Sequence, residues 1–261
     1  MFMTLEIELN GPVATIWMNR PDLHNAFDEN LIAELTAACV ALDADPGVRI
    51  VVLAGRGKSF SAGADLNWMK RAANNGVDDN LNDARALAGM LRTLAEMKKP
   101  TIARVQGAAL GGGMGLASAC DIAIASTRAV FATSEVKFGI IPSAISPYVL
   151  RAIGARQAYR YFQSAERIDA ARAREIGLVH EAVAPEQLDA KVKEIVDALI
   201  QGGPLAQAAA KELIRAVGNQ PINDHVVEDT AHRIARLRAT PEAREGIAAF
   251  LDKRQPNWIG E

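Results

Sequence analysis

The most informative stretch of this sequence is VQGAALGGGMG, residues 105–115. The apolar run Thr101–Val105 has the β-branched composition of a strand, and three consecutive glycines at 111–113 precede small residues that can open a helix. Because glycine lacks a Cβ, the free N–H groups at such a helix start can approach a ligand closely. The stretch therefore predicts a backbone site for an oxyanion. The alternative, which these residues leave open, is that the glycines only let a buried helix pack closely.

A second loop, FSAGADL at residues 60–66, follows the predicted strand Val48–Leu53 and favours the oxyanion interpretation, because it offers further small-residue amides at a strand end. Two phosphate-binding alternatives fit poorly. The run GRGKS at 55–59 ends like a P-loop, but valine stands at position 52, where that motif requires glycine. The glycine triplet is followed by Leu116 and Ser118 where a dinucleotide-binding fingerprint needs its third small residue.

Composition excludes several classes of protein. The 261 residues include 29 Lys+Arg and 31 Asp+Glu, for a net charge of −2, and only 5% are aromatic, so a nucleic-acid binder is not expected. Cys39 and Cys120 stand in no metal or disulfide motif, which indicates no metal site and a reducing, cytoplasmic compartment. No secretory leader is evident, and the most apolar segment, 107–126, is too interrupted by glycines and Asp121 to span a membrane.

The pattern along the chain predicts an α/β core at residues 1–200 and an all-helical C-terminal region at 201–261, divided near the break Gln201–Pro204. Strand signals fade from about Ile145 onward. The predicted strands are Val13–Trp17, Val48–Leu53, Thr101–Val105, Asp121–Ala125 and Val130–Ala132, and helical spacing marks 31–42, 87–94, 187–200, 205–217, 224–237 and 241–251.

These motifs together resemble the crotonase, or enoyl-CoA hydratase/isomerase, superfamily, in the family's order and over nearly the whole chain. The resemblance implies an α/β spiral of ββα units whose C-terminal helical region packs trimers, often paired into hexamers. It also implies an acyl-CoA thioester as ligand, with no separate cofactor. The matching motifs are the two loops, NRP at 19–21, NAF at 25–27, ACDI at 119–122, SE at 134–135, GIIP at 139–142 and FLDKR at 250–254.

The resemblance also implies roles for individual residues. The amides of Ala64 and Gly112 would form an oxyanion hole for the thioester oxygen, and Glu135 would be the general acid/base. Asp65 is also expected to cap the helix after its loop. The expected substrate or CoA contacts are Leu23, Ala62, Asp65, Leu66, Gly111 and Ser143, with Phe250 and Lys253 near the CoA phosphates, in some members across a subunit interface.

Position 115 bears on the reaction type. Family hydratases with two carboxylates carry a glutamate there, whereas this chain has Gly115. A lone Glu135 suffices for a Δ3,Δ2-enoyl-CoA isomerase, and hydration by one glutamate requires another group to position water, for which Ser143 and Ser146 are candidates.

The detailed pattern most resembles bacterial methylglutaconyl-CoA and isoprenoid-glutaconyl-CoA hydratases of leucine and terpene breakdown. Hydration of a branched 3-methylglutaconyl-type thioester is therefore the first expectation, with Lys70, Arg71 or Lys137 as hypothetical partners of the distal carboxylate. A non-catalytic RNA-binding module is the alternative from another class, and the charge and aromatic content disfavour it.

Overall fold

Two β-sheets organise the chain, which a computed structural model describes over residues 2–259. The large sheet has the strand order β1-β2-β3-β4-β6-β9, and the small one β5-β7-β8. Only β1/β2 and β7/β8 pair antiparallel. The strands are β1 (Leu5–Asn10), β2 (Val13–Met18), β3 (Ile50–Gly55), β4 (Thr101–Val105), β5 (Ala108–Leu110), β6 (Ile122–Ser126), β7 (Val130–Ala132), β8 (Ile168–Asp169) and β9 (Glu181–Val183).

Ten α-helices surround the sheets in the described residues, and none of them is both long and apolar enough to cross a membrane. They are α1 (Glu29–Ala44), α2 (Leu66–Ala72), α3 (Val77–Glu96), α4 (Gly112–Ala119), α5 (Ser146–Ser164), α6 (Ala170–Glu175), α7 (Leu188–Ile200), α8 (Pro204–Val217), α9 (Asp224–Arg238) and α10 (Pro241–Leu251).

The repeating unit is one strand in the large sheet, one in the small sheet, and a helix that returns the chain. The sequences β4–β5–α4 and β6–β7–α5 follow this order. In the turn that begins with β3, the second strand is reduced to a single bridge between Ser61 and Ala109. The expected α/β spiral of ββα turns is confirmed.

The central strands are apolar along their whole length because both faces of the large sheet are covered. Val51 and Leu53 of β3 face the main core with α1, α3, α4 and α5. Ile50 and Val52 face a second, smaller cluster with α7. A strand buried on both sides reads as a continuous hydrophobic run instead of an alternating one.

The structure corrects the expectation that strands end near Ile145. Both β8 and β9 follow it, and β9 pairs in parallel with β6 at the edge of the large sheet. These strands have two and three residues, so they are too short to show any periodicity. The strand predicted at Val48–Leu53 lies two residues further on, because Val48 closes a turn by donating to the Asp45 carbonyl.

The C-terminal helices pack against the amino-terminal ends of the parallel strands in the large sheet. Arg49, just before β3, donates to the carbonyls of Gly202 and Trp258. Lys211 of α8 forms an ion pair of 2.7 Å with Asp121, just before β6. Because the six residues of β3 span about 20 Å, these contacts lie far from the loop that follows the carboxyl end of β3.

Asn25 connects the two loops that follow β2 and β3. It is fully buried with a left-handed φ of 54°, and its Oδ1 accepts from the Arg20 amide at 2.9 Å. Its Nδ2 donates to the carbonyls of Arg56 and Ser59, both at 2.9 Å, and its own carbonyl accepts from Ser61 Oγ. The backbone of the loop before Ser61 is therefore held by the Asn25 amide, together with Gln106, whose Nε2 also donates to the Ser59 carbonyl at 2.9 Å.

We expect Asn25→Ala to lower the free energy of unfolding by about 2–3 kcal/mol, because the Arg56 and Phe60 carbonyls lose their side-chain donor and the Arg20 amide loses its acceptor. Urea denaturation followed by circular dichroism measures the change. Asn82→Ala, at an exposed position of α3, is the matched control and should shift stability by less than about 0.5 kcal/mol. Equal effects of the two substitutions would contradict the role of Asn25.

Candidate active site

A cavity of about 460 Å³ opens beyond the carboxyl ends of β3 and β5. Loop 60–66 and the start of α4 form one side, and α2, α3 and the segment 134–145 form the others. The wall is mainly apolar, and no Lys, Arg or His is among the described residues that line it. Besides the indole of Trp68, its polar members are Asn80, Asp83, Ser134, Glu135 and Ser143.

Backbone hydrogen bonds hold the first loop in place. Ser61 donates to the Ala108 carbonyl at 3.0 Å and accepts from the Leu110 amide at 2.9 Å, which ties the loop to β5. Phe27 donates to the Gly63 carbonyl at 2.6 Å and accepts from the Asp65 amide at 2.8 Å. The Ala64 amide lies between these two bonds, lines the cavity, and has no hydrogen-bond acceptor within residues 2–259.

The second loop brings another amide to the same cavity. Gly111 donates to the Ala132 carbonyl at 2.8 Å and has φ 50° and ψ −118°, a conformation that side chains rarely allow. Gly112 then opens α4, and the first helical bond runs from Gly115 to the Gly111 carbonyl. The Gly112 N–H therefore also lacks an acceptor in the described chain, and it lies at the positive end of the α4 dipole.

The glycines serve close packing as well. A Cβ on Gly112 would lie 2.7 Å from Cδ2 of Phe27, and one on Gly63 would lie 2.9 Å from the Leu110 carbonyl oxygen. A Cβ on Gly113 would overlap the Ser61 carbonyl. The close-packing interpretation of the glycine triplet is therefore confirmed. The same close approach of the two loops brings the Ala64 and Gly112 amides to one cavity, and the oxyanion site stays a prediction.

Glu135 lies against this pair of loops at the start of a 3₁₀ turn, Glu135–Phe138. Its Oε1 is about 3.0 Å from the point where a Cβ on Gly111 would sit, and its buried Oε2 has no hydrogen-bond partner. Burial raises the pKa of Glu135 above its ordinary value, and a hydrogen bond from its own backbone offsets part of the rise. A raised pKa makes the ionised carboxyl a stronger base, which suits a group that accepts a proton and returns it.

Asp65 has a structural role that its loop position also predicts. Its Oδ1 accepts from the amides of Asn67 at 2.8 Å and Trp68 at 3.3 Å, which confirms the expected cap of α2. Arg20 bridges Asp65 at 3.0 Å and Asp28, the cap of α1, at 3.1 Å. Although burial acts to raise it, these amides and Arg20 hold the pKa of Asp65 below its ordinary value. The carboxylate is therefore committed to the scaffold.

Position 115 has no room for a second carboxylate. Gly115 is buried in α4, and a Cβ there would overlap Cγ2 of Ile145 and lie 2.8 Å from its Cβ. Contacts of that length to a Cβ essentially do not occur, so any side chain at 115 would require Ile145 to move. Among the residues that line the cavity, the only carboxylates are Glu135 and Asp83.

The other predicted contact residues fall into two groups. Ala62, Leu66, Gly111 and Ser143 line the cavity, as do Ala64, Gly112 and Glu135. Leu23 lies outside the lining but next to the first loop, because its neighbour His24 accepts from the Ala62 amide at 2.9 Å.

The C-terminal candidates and the basic residues are not brought to the cavity within one chain. Phe250 is 83% exposed at the end of α10, and Lys253 follows it in a left-handed conformation at the helix C-terminus. Both belong to the C-terminal region, which packs at the amino-terminal ends of the strands in the large sheet. Lys70, Arg71 and Lys137 do not line the cavity, and Arg71 pairs with Glu29 at 2.8 Å.

Sequence reasoning missed the wall that α3 supplies. Asn80, Asp83, Ala84 and Leu87 face the cavity from this helix. Their spacing of three and four residues marks one helix face, and that spacing was the available signal. Ile145 was also missed, since a single isoleucine before a helix carries no functional pattern.

The fold and site define an α/β protein whose cavity brings together two backbone amides without acceptors in the described chain and one half-buried glutamate. The model of the enoyl-CoA hydratase/isomerase family matches residues 8–261. The chain belongs to this family, and with it to the crotonase superfamily.

Proteins of the same family are similar to this chain over nearly its whole length. The chain is 33% identical to a putative enoyl-CoA hydratase of Thermus thermophilus, covering 95% of this chain and 98% of that protein. It is 35% identical to a crotonyl-CoA hydratase of Syntrophomonas wolfei, covering 98% and 97%. The crystal structure of an enoyl-CoA hydratase from Shewanella pealeana superposes with a TM-score of 0.96 at 44% identity, covering 98% and 96%.

We expect Glu135→Gln to stabilise the fold at neutral pH. When the pKa of a carboxyl is higher in the folded than in the unfolded state, the folded state binds more protons. The protein therefore loses stability as pH rises. The gain in melting temperature should be present at pH 7 and vanish below the ordinary pKa of 4.5. Thermal scans between pH 4 and 8 measure it, with the exposed Glu186→Gln as control. A gain that is the same at all pH values would exclude desolvation as its cause.

Proposed function

We propose that this protein adds water across the α,β double bond of an enoyl-CoA thioester, with Glu135 as the single acid/base. The observation that carries the proposal is the meeting of two unpaired amides, of Ala64 and Gly112, with the half-buried Glu135 carboxyl at one cavity. Preorganised donors aimed at developing negative charge are worth about 3–4 kcal/mol of barrier for each donor.

The proposed reaction proceeds through an enolate. The thioester oxygen accepts hydrogen bonds from the two amides, and a water molecule loses a proton to Glu135 as its oxygen bonds to the β-carbon. The electron pair of the double bond moves through the α-carbon to the thioester oxygen. Protonated Glu135 then donates its proton to the α-carbon, the carbonyl reforms, and the product is a 3-hydroxyacyl-CoA. No cofactor beyond the CoA of the substrate takes part.

Positioning of the water falls to the segment between Glu135 and α5. Ser143 lines the cavity, and its hydroxyl appears in no hydrogen bond within the described chain. Ser146, the other candidate, donates to the Ser143 carbonyl at 2.8 Å, so its hydroxyl proton is already engaged in the helix start. Of the two, Ser143 is the better candidate.

Isomerisation is the second candidate reaction, and the absence of a carboxylate at position 115 favours it. Glu135 would remove a proton from C2 of a 3-enoyl-CoA and return it to C4, while the same two amides hold the enolate. This reaction needs no positioned water.

The resemblance favours a branched 3-methylglutaconyl-type acyl chain, and we keep this as the finer form of the proposal. The wall offers its distal carboxylate no cation within the described chain, and Asp83 would repel it. Burying an unpaired carboxylate is costly, so that group has to stay hydrated at the α3 side, where Asn80 and Ala84 are exposed.

The decisive measurement is the product formed from three thioesters: crotonyl-CoA, 3-methylglutaconyl-CoA and a 3-enoyl-CoA. Hydration of crotonyl-CoA or 3-methylglutaconyl-CoA supports the proposal, and a higher kcat/KM for the latter supports its finer form. Double-bond migration in the 3-enoyl-CoA without any hydration would establish the isomerase instead.

The same assay with Glu135→Gln should show a loss of turnover of about 100-fold or more, with thioester binding within a few-fold of wild type, because only the proton carrier is removed. Glu186→Gln, an exposed carboxyl away from the cavity, is the control and should match wild type. Activity of Glu135→Gln near the wild-type level would rule out its assignment.

Phe250 and Lys253 enter this proposal as contacts to the CoA phosphates of a neighbouring copy in a homotrimer or hexamer. Neither residue lines the cavity of its own chain, which supports this arrangement over one within the chain. The exposed apolar residues of the C-terminal helices, among them Ile214, Val227 and Ile234, offer a surface for such association.

Lys253→Ala should then raise KM for the CoA thioester about twofold to fivefold and leave its kcat unchanged. KM for the corresponding pantetheine thioester should not change, because that thioester lacks the CoA phosphates. Lys98→Ala is the control, because Lys98 is exposed and lies just before the amino-terminal end of β4. Equal KM values for wild type and Lys253→Ala, in an oligomer verified by sedimentation, would remove Lys253 from the CoA site.

A further inference from the structure

One aliphatic side chain lies between the cavity and Gly115 of α4. Ile145 is 2% exposed and lines the same cavity as Ala64, Gly112 and Glu135. Gly115 lies behind Ile145 and is not among the residues that line the cavity. The lack of a side chain at position 115 therefore gives the substrate no extra space, because the Ile145 side chain already occupies that volume.

Ile145 cannot easily move out of this position. It is the residue that precedes α5, and its carbonyl accepts from the amides of Tyr148 and Val149, both at 3.1 Å, so its backbone is part of the helix start. Pro147 further restricts this turn. A β-branched side chain has few χ1 rotamers, and Gly115 receives its Cγ2 at close contact.

We infer that Ile145 is the specificity-determining residue of the acyl pocket: by filling the notch at Gly115, its side chain sets the largest acyl chain or branch that the cavity admits. This inference rests on the proposed function for the identity of the ligand, an acyl-CoA. The pair works as one unit, in which glycine at 115 is required by isoleucine at 145.

The consequence for substrates follows from pocket size. Shortening Ile145 opens space between the cavity and Gly115, and one methylene in a hydrophobic pocket discriminates about 10-fold to 200-fold. Ile145→Ala should therefore raise the ratio of kcat/KM for 2-octenoyl-CoA to that for crotonyl-CoA at least about tenfold, with Ile145→Val between it and wild type.

The test combines this ratio with binding of the unreactive saturated thioesters octanoyl-CoA and butyryl-CoA, measured by calorimetry. Ile153→Ala is the matched control, since Ile153 is 6% exposed in the same α5 but does not line the cavity. It should lower the melting temperature without shifting either ratio. Ile145→Val keeps the test open if Ile145→Ala does not fold.

A second readout uses stability alone. Gly115→Ala should lower the melting temperature by several degrees in the wild-type background and by much less in Ile145→Ala, because the added methyl group then occupies the vacated notch.

The outcomes separate the two claims. In the first outcome, wild type is active, but neither the activity ratio nor the binding ratio shifts beyond twofold in Ile145→Ala and Ile145→Val. The inference is then wrong, and the proposed function stands. If wild type turns over none of the thioesters but the binding ratio shifts as expected, the proposed function fails and the inference holds.

Discussion

The structure depends on the close approach of two backbone loops, one after β3 and one after β5. The loops exchange the bonds Ser61 to Ala108 and Leu110 to Ser61, and a Cβ at Gly63 or Gly113 would collide with a carbonyl of the other loop. This approach is possible only where side chains are absent. It leaves the amides of Ala64 and Gly112 without acceptors at the same cavity, so a packing constraint and an electrostatic site have one cause.

The surroundings of the loops keep this arrangement rigid. Asn25 satisfies carbonyls of the chain before Ser61, and Phe27 pairs on both sides of Ala64. Arg20 joins the caps of α1 and α2 through Asp28 and Asp65. Glu135 differs from these residues, because its buried Oε2 has no hydrogen-bond partner in the described chain, and perturbed carboxyls of this kind cluster at functional sites.

Most of the fold could be predicted, because its elements carry strong local signals. Strands buried on both faces, such as β3, read as apolar runs, and the long helices α1, α3 and α7 to α10 show clear periodicity. The short strands β8 and β9 could not be predicted, since they exist only through their pairing with β7 and β6. The first loop, the glycine triplet and Glu135 were recognisable as motifs, whereas the cavity wall on α3 was not.

Residue types and spacing therefore indicated the α/β class and the two amide-bearing loops, and the resemblance to the crotonase superfamily added the candidate carboxyl and the lack of a glutamate at position 115. Distances between segments remote in sequence had to come from the folded chain. Only there does Ile145, thirty residues after Gly115, occupy the space over that glycine, and only there are Phe250 and Lys253 seen to lie outside the cavity lining. The reason is that local propensity acts over a few residues, while steric exclusion and the direction of parallel strands act between parts of the chain that meet only when it folds.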